Sequence, residues 1–96
     1  MIKGLQTELN TQYNKGLVVD GIWGTKTYNA CINVRQGAEG NITMLIQMAL
    51  FIKGYSLSMD KKFGADTTKK VKEFQLNNGL TVDGIVGKNT FQKLFA

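Results

Sequence analysis

One short pattern occurs three times in this chain and restricts its fold more than any other feature. Asp20 and Gly24, Asp60 and Gly64, and Asp83 and Gly87 each stand four residues apart, and a threonine follows each of these glycines by three: Thr27, Thr67 and Thr90. An aromatic residue or valine precedes the glycine each time: Trp23, Phe63 and Val86. Upstream, a glutamine sits in an apolar setting in every copy, as Leu5-Gln6, Ile46-Gln47 and Phe74-Gln75. The third copy is the clearest, with Gly79-Leu80 leading into Asp83-Gly84-Ile85. The first matches it closely, with Gly16-Leu17 leading into Asp20-Gly21-Ile22. The middle copy is looser, and Lys61 replaces the glycine that follows the aspartate elsewhere. A repeat of this size marks a stack of supersecondary units that bury a shared core together.

The segments around the loops read as helices. Ile42, Leu45, Ile46, Ala49 and Leu50 fall on one face at helical spacing. Asn41 is placed to cap that helix and Gly54 to stop it. A helix that begins near Ala65 and carries Val71 and Phe74 closes the second copy and opens the third. Ile2, Leu5 and Leu9 begin the first helix, Thr25 to Val34 reads as a further one that ends before Gly37 and Gly40, and Phe91, Leu94 and Phe95 belong to a short final helix. Strict apolar alternation occurs only in short pieces around the Asp loops. The expected fold is all-α, a small helical bundle of repeated helix–loop–helix units with about five short helices and long turns.

The loop composition points to turn chemistry. An aspartate side chain accepts from backbone N–H groups two residues on. Gly21 and Gly84 then supply positive φ without steric cost. Ile22 and Ile85 are expected to point inward and pin the turn, and the second glycine to let the chain meet the next helix closely. With Lys61 in place of glycine, the middle loop is expected to be more strained or differently bent. The matched glutamines, if buried, must satisfy their amides. The expectation is that each ties its helix to the backbone of its own Asp loop. Calcium is disfavoured, because it takes about six to eight oxygen ligands and each loop offers one carboxylate.

Composition narrows the functional classes. The 96 residues suit one small domain, read as an N-terminal partial repeat (1–34) packed with a second portion (35–96) into one module. There is no histidine, which removes the commonest general base and zinc ligand, and with them Cys–His and Ser–His–Asp chemistry within the chain. The single cysteine, Cys31, cannot form an internal disulfide and reads as a small buried hydrophobe. No metal and no cofactor is expected. Net charge is +5, and the lysines at 69, 70 and 72 read as a solvated helix face rather than a nucleic-acid site. No apolar run approaches the roughly 20 residues that span a bilayer, and residues 1–10 do not form a signal peptide. Either secretion does not use a signal peptide here, or the chain is a fragment of a longer protein.

The stretch Arg35 to Phe95 resembles the peptidoglycan-binding domain of bacterial cell-wall hydrolases and phage endolysins. The matching residues include Gly37, Ile42, Gln47, Leu50, Gly54-Tyr55, Phe63-Gly64, Thr67, Val71, Phe74-Gln75, Gly79-Leu80, Asp83-Gly84, Val86-Gly87, Thr90 and Leu94. Residues 2–34 look like another portion of the same repeat. The resemblance implies a non-catalytic module that binds peptidoglycan, through glycan or stem peptide, and holds a hydrolase domain such as an amidase on the wall in cis. It implies a location at the cell wall outside the cell. The alternatives are an assembly module that forms homo-oligomers and, with weaker support, a hydrolase working through carboxylates, which would need two carboxyls at a defined separation.

Exposed aromatics near turns suit sugar and peptide stacking, and an Asp or backbone amide fixes orientation. The candidate ligand residues are Tyr13, Asp20, Gly21, Trp23, Tyr28, Tyr55, Asp83 and Gly84. Trp23 has two readings. It either stacks on ligand or fills the core place that Phe63 and Val86 hold in the sister copies. Tyr13 has no counterpart in the other copies.

Overall fold

The structure, a computed structural model, describes residues 1–96. It contains five α-helices, α1 (Ile2–Tyr13), α2 (Thr25–Ala30), α3 (Asn41–Ile52), α4 (Ala65–Asn77) and α5 (Lys88–Phe95). The molecule measures 32 × 26 × 20 Å. No helix is long and apolar enough to cross a membrane.

The most apolar helix, α3, is central. It packs on α1, α4 and α5, and α2 packs on α5. Its Ile46 and Leu50 are fully buried, together with Leu5 and Leu9 of α1, Val71 of α4 and Phe91 of α5. One cluster of 16 buried hydrophobic residues draws on all five helices. The predicted stripe on α3 faces this core; Leu45, at its margin, is half-buried, packs against the core cluster and lies beside Gly4 of α1. Gly54 closes α3 as expected. At φ 99° it lets the Tyr55 N–H turn back to the Leu50 carbonyl at 3.0 Å.

Three expectations need correction. Thr25 to Val34 is not all helix. The helix stops at Ala30, Cys31 is extended, and Val34 instead forms a backbone bridge with Val86. That bridge exchanges two hydrogen bonds of 3.0 and 2.7 Å, which a helical Val34 could not make. Asn41 does not cap α3. It is the first helical residue, Gly40 takes the cap position, and the Asn41 amide donates to the Glu8 carboxylate on α1. Ile22 does not point inward. It is 66% exposed, while Ile85 is half-buried.

The glycine before each downstream helix also works differently from expectation. Gly24, Gly64 and Gly87 all have extended backbone and negative φ, and each carbonyl accepts from the N–H four residues on, at Tyr28, Thr68 and Phe91, the first hydrogen bond of its helix. Close approach occurs only at Gly87, where an added Cβ would come 3.0 Å from the Asn33 side chain. The space beside Gly24 and Gly64 is open.

The connector 31–40 explains how the three loops come to differ. It runs past the second and third loops and bonds to both. Phe63 donates to Ala38 at 2.8 Å, and Val34 pairs with Val86. Phe63 and Val86 are thereby buried at 2% and 0% exposure. The first loop has no such cover, and Trp23 makes no backbone bridge.

Candidate ligand-binding face

The three glutamines build the frame on which this face rests. Gln6, Gln47 and Gln75 are at most 1% exposed. The Gln6 amide nitrogen donates to Asp20 Oδ1, the Ile22 carbonyl and Thr27 Oγ1, all at 3.1 Å. Gln47 repeats this with Asp60, Lys62 and Thr67, and Gln75 with Asp83, Ile85 and Thr90. An amide nitrogen carries two hydrogens for these three acceptors, so one hydrogen is shared between two of them. The amide oxygen accepts from the backbone N–H groups of Asp20 and Gly21 in the first copy and of Asp83 and Gly84 in the third. In the middle copy it accepts only from Lys61. Each Asp Oδ1 also accepts from the N–H two residues on, at 2.9–3.0 Å. The predicted tie between glutamine and loop is present in all three units.

The threonine after each loop glycine is part of the same tie. Its regular spacing was visible in the sequence, but its task as a buried acceptor was not. Backbone N–H donation, followed by the glutamine amide, holds the Asp20 and Asp60 carboxyls below the usual carboxylate range. These carboxylates are therefore committed to their own turns. Cys31 is 5% exposed, and burial pushes its thiol up to about 11.

Positive φ occurs at Gly21 and Gly84, both at 73°, and at Lys61, at 66°. The two glycines lie under lysine stems. A Cβ on Gly21 would meet Lys3 Cγ at 3.1 Å, and one on Gly84 would meet Thr68 Cγ2 at 3.0 Å and Lys72 Cε at 3.2 Å. The middle copy exchanges the residue types. Met44 stands where the other helices have Lys3 and Lys72, and the lysine sits on the turn.

Of the candidate ligand residues, the structure brings three to one side. Trp23 is half-buried, packs against the core cluster and lines a groove of about 370 Å³ with Gly24, Thr25, Tyr28 and Gln92. Tyr28 also borders an adjoining groove of about 410 Å³ with Asn33, Thr81, Asp83 and Asn89. The Tyr28 hydroxyl donates to Asn89 Oδ1 at 2.8 Å, which fixes the ring between the two grooves. Asn33, Thr81 and Asn89 were not anticipated, because nothing in their spacing sets them apart. Asp20 and Gly21 line a different groove, with Lys3 and Phe95. Tyr13 is 46% exposed at the end of α1. Tyr55 packs edge-on against Phe74 and accepts from the Asn77 amide, a position at the margin of the core. Neither tyrosine borders the Trp23–Tyr28 grooves. No group of three or more Cys, Asp or Glu side chains gathers to hold a metal.

Comparison with known proteins agrees with this architecture. The chain is 33% identical to N-acetylmuramoyl-L-alanine amidase CwlM of Mycobacterium tuberculosis over 88% of its length, and it spans only 24% of that relative. Among solved structures, it is similar to a peptidoglycan-binding protein from Clostridioides difficile in complex with glutamine hydroxamate. That match has TM-score 0.66 and 36% identity and covers 67% of this chain and 40% of that one. A Burkholderia AP3 phage endolysin matches with TM-score 0.66 and 34% identity, over 68% of this chain and 25% of that one. Residues 39–94 match the peptidoglycan binding domain family, and the chain belongs to that family.

Proposed function

We propose that this chain binds bacterial peptidoglycan without chemistry of its own, holds an attached wall hydrolase on its substrate, and meets the wall through the Trp23–Tyr28 face. The observation that carries the placement is the difference between equivalent positions. Phe63 and Val86 are buried, whereas Trp23 keeps part of its ring open beside Tyr28. Aromatic faces with polar neighbours suit sugar rings and their amide substituents. Asp83, Asn33 and Asn89 supply polar atoms along the adjoining groove. A non-catalytic role is supported by the lack of histidine and by the use of Asp20 and Asp60 as turn acceptors. A location at the cell wall follows from this reading.

Gly24 offers a test that separates recognition from folding. Its φ of −134° suits any residue, and nothing lies within 4 Å of an added Cβ. Threonine there would cap α2 and also narrow the groove. The Gly24→Thr variant is expected to match or exceed the parent in thermal stability, yet to pellet less with purified cell walls. Trp23→Ala should lose pelleting as well. If the parent chain stays in the supernatant with walls from many hosts, wall binding is wrong. If Gly24→Thr pellets as well as the parent, the ligand lies elsewhere.

A further inference from the structure

We propose that the outer face of α4 is a second ligand site, one that takes a short acidic peptide with a free carboxylate end, as uncross-linked wall stem peptides present. The inference deepens the wall-binding reading and rests on it. The groove there has a volume of about 510 Å³. Thr68, Lys69, Lys72 and Leu76 line it along α4, Gln36 comes from the connector, and Val82 comes from the third loop. From Ala65 to Leu76 the helix rises roughly 17 Å, a length matched by about five extended peptide residues.

Charge selects the occupant. The chain has a single ion pair, Lys70 with Glu73 at 3.7 Å, and it occupies the one carboxylate that lines the groove. Lys69 and Lys72 are exposed and have no acidic partner. The Lys72 stem is steadied where it crosses Gly84, so its ammonium loses less freedom on binding. At the far end, Leu76 is 70% exposed and Val82 47% exposed, which suits the small alkyl side chains of such a peptide. The scaffold does not require this combination. Thr7 and Met48 take the place of Leu76 in the sister helices, and Met44 that of Lys72 in the middle copy. Thr81 and Asp83 border the Tyr28 groove while Val82 borders this one, so a single loop separates the two faces.

The test is an NMR titration of the isotope-labelled full chain with the glycan-free, net-negative peptide N-acetyl-L-Ala-γ-D-Glu-L-Lys-D-Ala-D-Ala, alongside the same peptide amidated at its C-terminus. The free acid should shift the amides of Lys69, Lys72, Leu76 and Val82 and leave Trp23 in place. The amidated peptide should bind about threefold more weakly and the Lys69→Gln/Lys72→Gln variant, which loses two charges, up to about tenfold, and added salt should weaken the parent. Circular dichroism would verify that the variant is folded. Equal binding of acid and amide, shifts confined to Trp23 and Tyr28, or no shift at millimolar peptide would overturn the proposal. Stronger binding of an oligothymidylate at the same lysines would instead identify an unselective polyanion patch and overturn it too. Wall pelleting without peptide binding at α4 sinks this site and leaves wall binding intact. Peptide binding at α4 without wall pelleting does the reverse.

Discussion

At the scale of single residues, stability turns on three buried amides. Replacing Gln75 by leucine keeps its bulk but leaves the N–H groups of Asp83 and Gly84 and the carbonyl of Ile85 without their partner. An unsatisfied buried group costs about 1–3 kcal/mol, so Gln75→Leu should destabilise by about 3 kcal/mol or more. Gln47 accepts from one backbone N–H rather than two, and Gln47→Leu should cost roughly 1 kcal/mol less. Urea denaturation would rank the two, and a reversed order would show that the ties are not the main term. The acidic limb of stability belongs to the same network. Asp20 and Asp60 have folded pKa values below the ordinary value of 3.8. Their contribution is therefore complete above that value and is lost as pH falls below it toward the folded pKa. Thermal midpoints should decline below about pH 4. The Asp20→Asn/Asp60→Asn variant keeps an Oδ1 acceptor and should flatten that decline. An unchanged acid profile would assign it to other carboxylates.

At the scale of elements, each unit is a helix, a tied loop and the start of the next helix, and the middle unit is strained. Lys61 holds φ 66° where the sister loops have glycine. The left-handed region costs a side chain about 1–2 kcal/mol, and glycine's extra freedom in the unfolded chain returns roughly 0.5–1 kcal/mol of that. Lys61→Gly should therefore stabilise by up to about 1 kcal/mol in thermal or urea melts. A loss of stability would mean that the Lys61 stem packs usefully beside Met44. This strain was legible in the sequence, because the repeat named the position where glycine was missing. So were the helices α1, α3, α4 and α5, whose apolar spacing is local, as is the Gly54 stop of α3. The end of α2 was not legible. Ala30 to Val34 is apolar enough to continue a helix, and what stops it is the pairing of Val34 with Val86, a partner distant in sequence. The outward turn of Ile22 had the same kind of cause, since the connector covers the other two loops and not the first. For the ligand face, the repeat singled out Trp23 as the unusual member of its position. The polar residues beside it, Asn33, Thr81 and Asn89, come together only through tertiary packing.

At the scale of the molecule, the repeats share one core, and this sets how the chain opens. Leu5 and Leu9 from the first unit are fully buried in the same cluster as Phe74 and Phe91 from the third. Residues 1–34 and 35–96 should then lose structure together rather than in sequence. Cys31 reports on this directly. It lies in that cluster at 5% exposure, its thiol donates to the Thr27 carbonyl at 3.3 Å, and burial raises its pKa to about 11 from 9.0. The thiolate is the reactive form, so the folded thiol should resist alkylation at neutral pH and react freely in denaturant. The raised pKa also has a sign. The contribution of this group to stability is complete below its unfolded value near 9 and falls as pH rises toward 11, so mild alkali should speed labelling by more than the free thiol's own titration does. If opening is global, Gln75→Leu, on the opposite side of the repeat, should raise the Cys31 labelling rate by the factor that its loss of stability dictates. That is about tenfold for each 1.4 kcal/mol when reclosing is faster than alkylation. Labelling that ignores Gln75→Leu but responds to Gln6→Leu would show that the first unit opens by itself, and the chain would then be two cooperative pieces rather than one.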